Sequence, residues 1–67
     1  MRALVNGEAY ELKQDDHSLL GLLRELGVDP ERVAVLVNDE VVTGAARRTR
    51  VVLTDDRVEI LAFAGGG

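Results

Sequence analysis

With 67 residues and a net charge of −4 from 12 acidic and 8 basic side chains, the chain has room for one small domain and no long-range attraction for nucleic acid or anionic lipid. The absence of cysteine removes a disulfide framework, a thiolate metal site and a cysteine-borne persulfide together. A core this small carries no expectation of a deep pocket, and no apolar run has the length of a signal sequence or a membrane span, so a cytoplasmic protein is expected.

Residues 1–5 are apolar and β-prone, and Asn6-Gly7 is the dipeptide that best accepts the two positive φ angles of a type I′ turn. A hairpin returning through residues 8–13 is predicted. Its register sets Ala3 opposite Tyr10 and Met1 opposite Leu12, so Met1, Ala3, Val5, Tyr10 and Leu12 share the face expected to be buried. Ser18 stands where an N-cap hydroxyl accepts from a first helical turn, and a helix is predicted from Leu19. Leu19, Leu22, Leu23 and Leu26 form its apolar stripe, and Gly27 suits the left-handed position that ends it. Gly21 lies inside this helix at a cost of about 1 kcal/mol relative to alanine and takes the place of a capping-box glutamate.

After a turn over residues 28–32, Val33-Ala34-Val35-Leu36-Val37 reads as a strand central in its sheet and covered on one face. Asn38-Asp39 turns the chain into a short strand at residues 40–42. Residues 43–50, with Gly44 and three arginines, read as an exposed connection with a helical turn at Ala45-Ala46. Val51-Val52-Leu53 and the polar turn Thr54-Asp55-Asp56 lead into the last strand, residues 57–63. There Val58, Ile60 and Ala62 alternate with Glu59, Leu61 and Phe63, so Leu61 and Phe63 are expected on the accessible side, and Leu22, Leu23, Val35 and Ile60 are expected to be buried together. The order of elements predicts an α+β fold: a mixed sheet of four to five strands with one main helix across it. Residues 1–63 are expected to form the domain and residues 64–67 a tail, disordered in the free protein.

Few side chains offer chemistry. His17 is the single histidine and adjoins the N-cap, where a loop role is expected. The pairs Asp15-Asp16 and Asp55-Asp56 lack the alternating oxygen ligands of a calcium loop and are explained by turn formation, so no metal site is expected. Arg47, Arg48 and Arg50 are too few to indicate RNA binding. The closing Gly65-Gly66-Gly67 is different: as composition alone it could be a frayed end or a cloning scar, but glycines that directly extend a last strand can thread a channel too narrow for any Cβ and bring a terminal carboxylate into another protein's active site. That carboxylate, ionised at neutral pH, is a poor electrophile until activated. Adenylation by ATP supplies a leaving group, after which a sulfur nucleophile gives a thiocarboxylate and an amine gives a protein conjugate. With no cysteine present, covalently carried sulfur has its place at Gly67.

Val5-Asn6-Gly7-Glu8, the run Ser18 to Gly27, Val33 to Asn38, Asp56 to Ile60 and the closing Phe63-Ala64-Gly65-Gly66-Gly67 occur in the order and at the length of the ThiS family, which the chain resembles. Asp39 and Asp55 depart from it, standing where glycine is common. The resemblance implies a ubiquitin-like β-grasp fold and a carrier that is not itself an enzyme. It binds no cofactor and is activated at Gly67 by a ThiF-type adenylyltransferase that consumes ATP. Gly66 and Gly65 would thread the tail, and Phe63 and Leu61 are assigned to partner docking. Sulfur would come from a donor such as a cysteine desulfurase relay and pass to a ThiG-type thiazole synthase. Carriers for molybdopterin synthesis or tRNA thiolation share this plan, and a β-grasp binding module that is never activated would share the fold alone.

Overall fold

The structure, a computed structural model, describes residues 1–63. The expected disorder of the tail and the expected division of the chain at residue 64 fall outside that range. Strands β1 (Arg2–Val5), β2 (Glu8–Glu11), β3 (Val33–Val37), β4 (Glu40–Val41) and β5 (Arg57–Ala62) form one sheet in the order β2-β1-β5-β3-β4. β5 pairs parallel with β1 and antiparallel with β3, so the last strand of the chain lies at the centre. The helix α1 (Leu19–Glu25) packs across one face, which is the predicted β-grasp arrangement.

Local chemistry explains the elements. Asn6 and Gly7 have φ of 50° and 83°, the type I′ signature, and β1 pairs with β2 in the expected register. Asn38 and Asp39 repeat that turn with φ of 51° and 72°. Asp39, and Asp55 with φ of 66°, are therefore aspartates in a left-handed conformation. Glycine alone adopts this region without steric cost, so both aspartates hold turn positions that suit glycine. Ser18 Oγ accepts from the Gly21 N–H at 2.9 Å and caps α1. At the other end Gly27, with φ of 72°, closes a Schellman motif in which the Val28 N–H donates to Leu23 O at 2.9 Å and the Gly27 N–H to Arg24 O at 3.0 Å.

Leu19, Leu22 and Leu23 of α1 meet Ala3, Val33, Val35, Val37 and Val58 of the sheet, with Leu12, Val42 and Val52 closing the core. Ile60 and Leu26 are only half-buried, and Ala62 is exposed, in contrast to the full burial expected on that side of β5. Length accounts for the difference at Ile60 and Ala62. A helix of seven residues spans about 10 Å, whereas a strand of six spans about 20 Å, so α1 cannot cover the end of β5. Met1, Val5 and Tyr10 are likewise half-buried at the margin of the core.

The connection after β4 is more ordered than the single helical turn expected of it. It contains α2 (Gly44–Thr49), which has no buried residue, so its exposed character holds while its extent is larger. Arg47 anchors it: the half-buried guanidinium donates to Val33 O at 3.1 Å, to Val42 O at 3.4 Å and to Pro30 O. Among the described residues no helix is long and apolar enough to cross a membrane.

Candidate functional site

The residues singled out in the sequence separate into structural ones and those at the root of the tail. Asp56, the one buried charged residue among those described, accepts from the Leu53 N–H at 2.8 Å and from Asn38 Nδ2 at 2.9 Å, which ties the entry of β5 to the β3–β4 turn. Asp16 accepts from the Ser18 N–H at 3.2 Å beside the helix cap. His17 takes a left-handed φ of 52°, and its carbonyl accepts from the Val52 N–H at 2.8 Å. Among the described residues no group of His, Cys, Asp and Glu is arranged to hold a metal ion. Asp16 and Asp56 each accept a backbone N–H at a turn, and Asp55 occupies one with a φ of 66°.

Glu25 was not singled out in the sequence, yet it is the polar hub of the helix side. Its carboxylate accepts from Tyr10 Oη at 2.9 Å and from the N–H groups of Lys13 and Gln14 at distances from 3.0 to 3.2 Å. Partial burial pushes the Glu25 carboxyl upward, but the hydrogen bonds from Lys13, Tyr10 and Gln14, with the charge of Lys13, outweigh it and hold the group below the usual range. The Tyr10 phenol is raised in turn, first by its hydrogen bond to Glu25, then by burial and by the Glu25 charge. No signal in sequence spacing links residue 25 to residues 10, 13 and 14; only the fold does.

β5 carries the chain out of the sheet. Leu61 is 55% exposed and Phe63 is 62% exposed, as the alternation predicted. Cross-strand partners share a face, so the pairs Ala34↔Leu61 and Leu36↔Val41 extend an apolar strip from β5 over β3 to β4 on the side away from α1. Val41 is 64% exposed within it. Ala34, Leu36 and Val41 were not singled out in the sequence, although the burial expected of Val35 sets Ala34 and Leu36 on the opposite face by alternation. The Phe63 N–H donates to Arg32 O at 3.1 Å and holds the chain just past the end of β5. Gly65, Gly66 and Gly67 themselves lie outside the described residues. Among the described residues, Leu61 and Phe63 at the end of β5 thus present, with Val41 of β4, an exposed apolar surface.

Comparison with known proteins bears on this geometry directly. The chain is 39% identical over all 67 residues to thiazole synthases of Magnetococcus marinus and Paramagnetospirillum magneticum, and it spans only 20% of the length of each. It is also similar to the crystal structure of the thiamine biosynthesis protein ThiS from Geobacter metallireducens, with a TM-score of 0.82, 35% identity and full coverage of both chains. The model of the ThiS family matches residues 3–67, which take in the whole sheet but for Arg2, together with α1 and the closing glycines, and the chain belongs to that family.

Proposed function

We propose that the chain is a sulfur carrier for thiamin biosynthesis, a protein co-substrate of the cytoplasm rather than an enzyme. In this reading a ThiF-type adenylyltransferase joins the Gly67 carboxylate to AMP from ATP, with release of pyrophosphate. A hydrosulfide, released when a thiol reductant cleaves the persulfide of a donor such as a cysteine desulfurase relay, then attacks the acyl carbon. The C–S bond forms, the bond to AMP breaks, and a thiocarboxylate remains. A ThiG-type thiazole synthase receives that sulfur for the thiazole ring, and similarity to proteins that carry a matching segment within a thiazole synthase supports this choice of recipient.

The observation that carries the proposal is the likeness to a ThiS structure together with the ThiS family match over residues 3–67. The exposed strip of Leu61, Val41 and Phe63 supports docking beside the tail, since an apolar patch next to a reactive terminus favours a protein partner. The test is incubation with the adenylyltransferase, ATP and a sulfide source, followed by mass analysis of the C-terminal peptide. The native chain should gain one sulfur in place of one oxygen at Gly67. Gly66→Val places a branched side chain in the narrow channel and should remain folded but unmodified. Native-rate modification of that variant would rule out the channel, and a native chain that never takes up sulfur would leave the passive binding module as the better reading.

A further inference from the structure

β5 is held unequally along its two sides. On the β3 side the ladder runs from Val37↔Val58 to Val33↔Ala62 and is continued by the Phe63 N–H on Arg32 O. On the β1 side it stops at Val5↔Val58, because the chain turns away at Asn6-Gly7. The N–H groups of Leu4 and Asn6 donate to Asp56 O and Val58 O at 2.9 and 2.8 Å, so alternate residues of β5 face β1 and the next in line is Ile60. Backbone from β1 is no longer available to it.

The side chain of Asn6 takes that place. The Ile60 N–H donates to Asn6 Oδ1 at 2.8 Å, and Asn6 Nδ2 donates to Ile60 O at 3.4 Å. A carboxamide carries the same acceptor and donor as a peptide group, so it adds one rung to the ladder where the strand has ended. Asn6 therefore has two roles, the left-handed turn position and a clamp on the stretch of β5 that carries Leu61 and Phe63 to the tail.

We propose that Asn6 is a positioning residue for tail delivery, holding the end of β5 from the β1 side so that Leu61 to Phe63, the stretch that leads to the tail, keeps one orientation. This rests on the carrier reading above. Without the clamp the end of β5 is held by β3 alone. Docking through the apolar strip persists, but fewer docked molecules place the terminal carboxyl in line for adenylation. Turnover at saturation then falls more than affinity does.

Two variants separate the clamp from the turn. Asn6→Gly accepts the positive φ without cost and removes the carboxamide, while Asn6→Asp tolerates the turn and still accepts from the Ile60 N–H. In Asn6→Gly, hydrogen exchange at the Ile60 amide should quicken about tenfold while the amides of Leu22 and Leu23 keep their protection. With the adenylyltransferase, ATP and sulfide, kcat for thiocarboxylate formation should fall about tenfold with KM changed less than about twofold, and Asn6→Asp should recover most of the loss. An unchanged kcat in a variant that has lost Ile60 protection, a loss carried by KM alone, or an Asn6→Asp protein as slow as Asn6→Gly overturns the proposal. A wild-type chain that is never modified overturns the carrier reading and the positioning role with it, an outcome told apart from the others because the wild-type arm itself fails.

Discussion

Gly21→Ala is a substitution for which helix propensity and the structure predict opposite signs. Propensity alone favours the alanine by about 1 kcal/mol inside α1. An added Cβ, however, would overlap Gln14 Oε1 and stand 2.8 Å from Ser18 Oγ and 2.9 Å from Gln14 Cδ. Gln14 Nε2 donates to Gly21 O at 3.0 Å, and Ser18 Oγ is the helix cap. Displacing Gln14 loses a hydrogen bond worth about 0.5–1.5 kcal/mol, and disturbing the cap costs up to about 1 kcal/mol more. The losses exceed the gain, so Gly21→Ala should destabilise the domain by about 1 kcal/mol, which lowers Tm by about 4–8 °C at this size. Urea unfolding followed by circular dichroism measures it, and Gln14→Ala as a second background isolates the clash, because there the same methyl should cost less. A Gly21→Ala protein about 1 kcal/mol more stable than wild type would refute the reasoning.

Leu23 is fully buried in the core, so Leu23→Ala should remove about 2–5 kcal/mol from a domain whose total is on the order of 3–10 kcal/mol, and an unaltered urea midpoint would contradict the packing described. The Glu25 carboxyl is lower in the folded than in the unfolded chain, so its contribution is present above the ordinary glutamate value of about 4.3 and is lost as pH falls through the folded value. The stability difference between wild type and Glu25→Gln should accordingly shrink on acidification below that point, and a difference that grows there would reverse the sign assigned. Phe63→Glu places a charge on the exposed strip beside the tail and should weaken binding to the adenylyltransferase and the thiazole synthase while leaving the circular dichroism spectrum unchanged. Equal titration curves for variant and wild type would remove Phe63 from the docking surface.

Much of this fold is legible in the sequence because its punctuation is local. Asn6-Gly7, Ser18 and Gly27 each fix a turn or a helix end through their own backbone chemistry, and each does so in the structure. What was not legible depends on residues far apart in the chain. The burial expected of Val35 set the side of β3 that faces α1, but the pairing of Ala34 with Leu61 and of Leu36 with Val41 depends on strands that meet only in the fold. Alternation along β5 implied burial at Ala62, but the short α1 does not reach it. Gly21 looked like an unexplained cost until Gln14 was found folded against it, and Asn6 looked like a turn residue alone until Ile60 was found across from its carboxamide. At the tail the reading rests on the sequence alone, since Gly65, Gly66 and Gly67 lie outside the described residues.

The account is tested most directly by the mass of the chain isolated from its native cell, with fragmentation to locate any change. A carrier in use should appear partly as a species with one sulfur in place of one oxygen, the difference confined to Gly67 and lost on treatment with an agent that hydrolyses thioacids. A population whose Gly67 carboxyl is wholly unmodified, in cells actively making thiamin, would contradict the assignment of that carboxyl as the sulfur-bearing group.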